Sequence, residues 1–226
     1  MEREGGRLVL RNLLGLETGG DARAVDLQRR DGRLYVYAAD PTHGLSIFDV
    51  TEIASARRLA AAALEGARDV AVRGGIAYVA AGMGGLEIVD VADPAAPRPQ
   101  GRLGALHART VSVGELASGV LVAAVTGSAG LSLVDVTDAA APRLLSLYRS
   151  RYAEDALLSG GRAYLAEGIG GLSVIDVRRP ETPRKVSSSD VEYAIAVDVR
   201  GEYAFVADHR GLRVVRIVVP DWLAGR

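Results

Sequence analysis

The chain has 226 residues, 49% of them hydrophobic and 24% charged, with a formal net charge of −1. This length can bury a sizeable core, and the balanced charge predicts no general attraction to nucleic acid or to an anionic membrane. Because the chain contains no cysteine, disulfide bonds, thiolate nucleophiles and thiolate metal sites are excluded.

The sequence carries no recognisable export or membrane signal. Its first residues, MEREGGRLVL, lack the apolar core of a secretory signal peptide. No apolar run approaches the roughly 18 residues that a membrane-spanning helix requires. The sequence therefore predicts a soluble, cytoplasmic protein.

A seven-residue cassette occurs five times along the chain. It reads GLSIFDV, GLEIVDV, GLSLVDV, GLSVIDV and GLRVVRI, with leucines at Leu45, Leu86, Leu131, Leu172 and Leu212. Successive leucines are 41, 45, 41 and 40 residues apart. A period of this length with alternating apolar and polar residues is typical of four-stranded propeller blades. The sequence therefore predicts an all-β, five-bladed β-propeller with four antiparallel strands in each blade.

The repeats divide the chain into one domain of five blades and an N-terminal strand. The expected blades span residues 21–64, 66–106, 107–150, 152–189 and 192–219. The fifth repeat stops after its third strand, since only PDWLAGR remains. Residues 6–16, GRLVLRNLLGL, resemble a fourth strand and precede the first repeat. We expect this segment to complete the last blade and close the ring, which would leave no open sheet edge.

The repeats resemble the LVIVD repeat family. The family pattern is a small-residue strand, then Tyr-Val-Ala, Gly-Leu-x-Ile-Val-Asp-Val and Asp-Pro-x-x-Pro, and residues 67–106 match it almost throughout. This resemblance implies a propeller and no particular activity, and many of the family's proteins are surface or secreted. The fifth cassette departs from the pattern because Arg216 replaces its acidic residue.

The residues that differ between blades are expected at one mouth of the central channel. In antiparallel blades, the connections between blades and the turns between second and third strands share a face. The expected ligand-binding residues on that face are Arg23, Arg68, Arg109, Asp69, Tyr193, Asp40 and Asp208. Three arginines at a concave mouth predict a site for a carboxylate or phosphate. The expected partner is thus a small anionic molecule or a protein, with no cofactor.

Two alternative functions, catalysis and metal binding, would use residues at the same mouth of the channel. An enzyme of the lyase, isomerase, cyclase or hydrolase type would draw its acid and base groups from Glu154, Asp155, Glu167, His107 and Tyr152. His43 and His209 are weak candidates for a metal site with Asp40 and Asp208, because no typical ligand spacing accompanies them. A lectin-like module with equivalent sites in every blade is disfavoured, since the mouth residues differ between blades.

Other recurring residues predict structural roles. We expect the cassette aspartates to cap the turns that follow them, and the repeated tyrosines and the single tryptophan to pack. These residues are Asp49, Asp90, Asp135 and Asp176, then Tyr37, Tyr78 and Tyr164, and Trp222.

Overall fold

The computed structural model describes residues 3–4, 7–8, 14–104 and 106–218. Described residues form five antiparallel sheets around one channel, and a separate two-stranded hairpin of β1 (Arg3–Glu4) and β2 (Arg7–Leu8). Four sheets have four strands and the fifth has three. The prediction of an all-β, five-bladed propeller is confirmed. None of the described segments is a helix long and apolar enough to cross a membrane.

The strands follow the chain in blade order. Blade one contains β3 (Ala24–Arg30), β4 (Arg33–Asp40), β5 (Gly44–Asp49) and β6 (Arg57–Ala62), with a short 3-10 helix at Ile53–Ser55. Blade two contains β7 (Asp69–Arg73), β8 (Ile76–Ala80), β9 (Leu86–Asp90) and β10 (Arg98–Leu103). Blade three contains β11 (Ala108–Glu115), β12 (Leu121–Gly127), β13 (Gly130–Asp135) and β14 (Arg143–Arg149).

Blades four and five complete the order. Blade four contains β15 (Asp155–Ser159), β16 (Arg162–Ala166), β17 (Leu172–Asp176) and β18 (Arg184–Ser189). Blade five contains β19 (Ala194–Arg200), β20 (Tyr203–Asp208) and β21 (Gly211–Arg216). In every blade the first strand is innermost, and each later strand lies farther from the channel.

The hydrophobic core lies between blades. Alternation along the strands gives each blade two apolar faces, and the face of one blade packs on the next. At the first junction, Tyr37 and Ile47 of blade one pack against Val70 and Val79 of blade two. Equivalent clusters fill the other three junctions of the series. The expected packing role of Tyr37, Tyr78 and Tyr164 is confirmed, since all three are buried in these clusters.

The innermost strands are joined across blades by side-chain acceptors. Asp26 accepts the Val72 N–H, Asp69 the Val111 N–H, Ser112 the Leu158 N–H and Asp155 the Val197 N–H. When the repeats are aligned, the donor N–H in the next blade lies one position after the position of its acceptor. These bonds satisfy inner-strand amides that have no ladder partner on the channel side.

The cassette aspartates cap the turn that follows each third strand, as predicted. Each accepts the backbone N–H two residues later, the four donors being Thr51, Ala92, Thr137 and Arg178. Hydrogen bonds from Thr51 lower the pKa of Asp49, and those from Arg178 lower the pKa of Asp176. These residues therefore fix the cassette turns.

Blade five differs from the others at its outer edge. Within the described residues β21 pairs only with β20, and Arg7–Leu8 pairs with Arg3–Glu4. Residues 14–18 form no strand, and residues 6 and 9–13 of the 6–16 segment lie outside the described residues. The expected closure of blade five by this segment therefore stays a prediction. Trp222 also lies outside the described residues.

Candidate functional site

The loops expected at one mouth of the channel do lie at the starts of the inner strands. The turn between the second and third strands of blade two contacts the start of blade three through an antiparallel β-bridge between Gly82 and Ala108. Gly168 and Ala194 make the same bridge between blades four and five. The left-handed φ of Gly82 and Gly168, 54° and 51°, suits glycine at these close approaches. The mouth is therefore built from second-to-third strand turns and from the connections between blades.

A cleft of about 350 Å³ opens at this mouth across blades two, three and four. Its polar lining is Arg68, His107, Arg109, Ser128, Arg151, Tyr152 and Glu154. Five of the residues expected at the mouth therefore share one cleft: Arg68, His107, Arg109, Tyr152 and Glu154. Arg151 was missed by the sequence analysis, although it directly precedes Tyr152. The signal for Arg151 was its place two residues before the repeated alanine, in the variable connection between blades.

The cleft has an excess of positive charge. Arg109 forms an ion pair with Glu154, whose side chain is 18% exposed. Arg68 and Arg151 make no side-chain hydrogen bond or ion pair with any other described residue. With three guanidinium groups and one carboxylate in its lining, the cleft presents two uncompensated cations to an entering molecule.

Two other predicted residues lie outside this cleft. Arg23 is exposed and its guanidinium is 2.6 Å from the carboxylate of Asp21. Glu167 accepts a hydrogen bond from Ser173 and lies 3.6 Å from the Lys185 ammonium, so it belongs to a polar cluster within blade four. The structure therefore does not bring Arg23 or Glu167 together with Arg68 and Arg109.

Asp69 and Asp155 lie on the inner strands. Asp69 accepts the N–H groups of Val70 and Val111, and Asp155 those of Ala156 and Val197. Burial raises the pKa of Asp69 to about 6, against the lowering effect of its two N–H donors. Burial likewise raises the pKa of Asp155. Both carboxylates thus join adjacent blades in an environment that disfavours their charge.

Asp40 and His43 form a turn that holds the segment before blade one. The fully buried Asp40 carboxylate accepts hydrogen bonds from Thr18 Oγ1 at 2.8 Å and from the N–H groups of Thr42 and His43. Burial disfavours the charge, but these hydrogen bonds together lower the pKa of Asp40 to about 2. Asp40 therefore has a complete set of internal partners, and its role as a ligand contact remains a prediction.

Asp208, His209 and Tyr193 line a separate cleft of about 380 Å³ in blade five. The rings of Tyr193 and His209 stack with centroids 4.1 Å apart, and Arg213 Nε donates to Asp208 at 2.6 Å. The Arg213 hydrogen bond lowers the pKa of Asp208. His43 and His209 thus have different neighbours. Across the part of the chain that the structure describes, no group of three or more His, Asp or Glu side chains could hold a metal ion.

Comparison with known proteins identifies the repeats. The LVIVD repeat model matches residues 66–103, 150–190 and 193–218, which fall in blades two, four and five. The match confirms the resemblance inferred from the cassette. No curated protein matches the chain.

Solved structures share the fold at low sequence identity. A computationally designed protein, Ika8, superposes with a TM-score of 0.59 at 14% identity, covering 85% of this chain and 58% of its own. A protein from Lactobacillus plantarum superposes with a TM-score of 0.63 at 14% identity, covering 86% of this chain and 70% of its own. This chain therefore spans little more than half the length of the designed protein. At this identity the likeness concerns the fold alone.

Proposed function

We propose that this chain, an LVIVD-repeat propeller, is a binding module whose channel mouth takes a small anionic molecule or an acidic group of a partner. The observation that carries the proposal is the pair Arg68 and Arg151, which line the mouth cleft without any acidic partner among the described residues. Guanidinium groups bind carboxylate and phosphate through paired N–H donors, so two free groups facing one cleft favour an anion.

The remaining lining residues suit a small ligand. The cleft volume of about 350 Å³ lies at the lower end of the range for small-molecule sites. Tyr152 offers an exposed ring and hydroxyl, and Ser128 offers a hydroxyl. The Arg109–Glu154 pair holds a third guanidinium in a defined place. A ligand with one anionic group and a short polar body fits this set.

A second basic cleft provides the matched control. This cleft has a volume of about 460 Å³ and lies at the end of blade four opposite the mouth. There Arg179 and Arg184 lie beside the Asp176–Arg178 ion pair. Arg179 sits in the turn after the cassette, away from the mouth. Loss of Arg179 therefore removes the same charge without changing the mouth.

The test is isothermal titration calorimetry, which measures the affinity of the protein for inorganic phosphate, citrate and adenosine monophosphate. A neutral sugar is the negative control. At least one anion is expected to bind. A charged hydrogen-bonded contact contributes about 1.5–3 kcal/mol, so Arg68→Gln or Arg151→Gln should weaken binding about 10- to 100-fold. Arg179→Gln should leave the affinity unchanged. Equal weakening by all three variants, or no binding by any anion, would refute the proposal.

Catalysis beside this cleft is the second candidate, and the observation that favours it is Asp69, which does not line the cleft but is adjacent to its lining residue Arg68. A carboxyl group with a pKa near 6 can exchange a proton near neutral pH. Asp69 directly follows Arg68 on the strand that leads from the mouth. Proton NMR of citrate or adenosine monophosphate, and phosphorus NMR of phosphate, each incubated with the protein for a day, distinguish the candidates, because an enzyme would convert its ligand and a binding module would return it unchanged.

A further inference from the structure

The cleft in blade five differs from the mouth cleft in its chemistry. It has a volume of about 380 Å³ and is lined by Ile169, Glu192, Tyr193, Asp208, His209 and Arg210. The rings of Tyr193 and His209 stack with centroids 4.1 Å apart and planes 14° apart. Tyr193 is half-buried, whereas His209 is exposed. The blade-five cleft therefore presents an exposed imidazole ring whose orientation is fixed by a supporting tyrosine.

The charged groups of the blade-five cleft are paired with one another or with a neighbour. Arg210 lies 2.8 Å from the Glu192 carboxylate, and Asp208 accepts the hydrogen bond of Arg213. The remaining lining consists of the ring stack and of Ile169, which is 65% exposed. This lining suits an uncharged planar ring, which gains from both stacking and apolar contact. A flexible alkyl group would not use the orientation of the stack.

The blade-five cleft adjoins the mouth cleft at Gly168. A Cβ on Gly168 would lie 3.0 Å from Tyr152 Cβ and 3.3 Å from Tyr193 Cζ. Tyr152 lines the mouth cleft and directly follows Arg151, whereas Tyr193 lines the blade-five cleft. Because the two tyrosines meet over a residue without a side chain, one surface continues from the guanidinium groups to the ring stack.

We propose that the two clefts are subsites for one ligand of the nucleoside monophosphate class. The phosphate binds Arg68 and Arg151, the sugar hydroxyls face Tyr152, and the base stacks on His209. A phosphate, a short polar body and a planar ring follow one another in such a ligand. Basic, hydroxyl-bearing and aromatic side chains follow one another in the same order across the mouth. This inference rests on the proposed anion site and specifies the class of its ligand.

The contribution of the ring can be measured by comparing adenosine monophosphate with ribose 5-phosphate. The two compounds share the phosphate and the sugar, so the ratio of their affinities isolates the base. Stacking of a base on an aromatic side chain corresponds to about a 5- to 150-fold gain in affinity. Isothermal titration calorimetry of the full chain should therefore show adenosine monophosphate binding tighter than ribose 5-phosphate by a factor in this range.

Substitutions in blade five test where the base binds. His209→Ala and Tyr193→Leu should each weaken adenosine monophosphate about 5-fold or more and leave the affinity for ribose 5-phosphate unchanged. Tyr203→Leu is the matched control, because Tyr203 is a 40% exposed tyrosine at the opposite end of β20 from the cleft. It should change neither affinity. Circular dichroism verifies that each variant is folded, and His209→Ala alters only an exposed turn residue.

The outcomes separate the ring subsite from the anion site. If neither compound binds, the anion site and the ring subsite are both overturned. If the two compounds bind the natural protein equally, the ring subsite alone is overturned and the anion site stands. The ring subsite is also overturned if His209→Ala leaves adenosine monophosphate binding unchanged, weakens both compounds equally, or has no greater effect than Tyr203→Leu.

Discussion

The raised pKa of Asp69 should make the free energy of unfolding depend on pH in an unusual direction. The ordinary Asp pKa of 3.8 is raised to about 6 in the folded protein because the carboxyl group is buried between inner strands. The folded state therefore binds more protons than the unfolded state between these values. The free energy of unfolding should fall as the pH rises through this window and level off above it.

The size of this effect follows from the two pKa values. A shift from 3.8 to about 6 corresponds to about 3 kcal/mol at about 1.36 kcal/mol for each pKa unit. About 2.4 kcal/mol of that change falls between pH 4 and pH 7. Asp69→Asn removes the titration and leaves one of two N–H donors, those of Val70 and Val111, without its acceptor.

The assay is urea unfolding of the natural protein and of Asp69→Asn from pH 4 to pH 7. The free energy of unfolding of the natural protein minus that of the variant should decrease by about 2.4 kcal/mol across the range. Asp49→Asn is the control. Hydrogen bonds from Thr51 lower its carboxyl pKa, so the contribution of Asp49 begins to fall near about pH 5 and is lost mainly below about pH 4. Its difference should therefore stay nearly constant and rise only slightly with pH, opposite in sign to that of Asp69. A difference for Asp69→Asn that is constant, or that rises with pH, would show that the pKa of Asp69 is not raised in the folded protein.

Other predictions concern the core and the cassette turns. Ile47→Ala empties a fully buried site between blades one and two and should cost about 2–5 kcal/mol of unfolding free energy in urea. Ile53→Ala removes a half-exposed side chain and should change stability by less than about 0.5 kcal/mol; equal losses would contradict the assigned core. Asp135→Ala removes the acceptor for the Thr137 N–H and for Arg143 and should lower stability by about 1–2 kcal/mol. Asp138→Ala, in the next turn, is its comparison and should cost less, because among the described residues the Asp138 side chain accepts only the Ala140 N–H.

The fold was predictable because the same local physics is repeated five times. The cassette alternation specifies a half-buried strand, and the recurrence of Asp135 and its equivalents specifies a turn cap. Each inference was supported by several copies of the same pattern. The inner-strand acceptors were less visible, since Asp26, Asp69, Ser112 and Asp155 occupy two different repeat positions. Alignment of the repeats therefore shows them as variable residues.

The site was only partly predictable because repeat alignment places a residue on a face without giving its partners. Arg68 and Arg109 line one cleft, and their role in ligand binding stays a prediction. Glu167 occupies an equivalent turn position, but its side chain contacts Ser173 and lies near Lys185 on its own blade. Which neighbour a long side chain contacts depends on distances in the folded structure. The repeat period of the sequence does not specify these distances. Arg151 was missed although its place two residues before Ala153 puts it in the variable connection between blades.

The proposed site holds an anion between Arg68 and Arg151 at the channel mouth. The most direct measurement is a crystal structure of the full chain with the tightest-binding anion from the titration. We expect density for the anion between these two side chains, with guanidinium nitrogens about 2.7–2.9 Å from its oxygens. Density in the cleft beside Arg179 with an unoccupied mouth would contradict the proposed site.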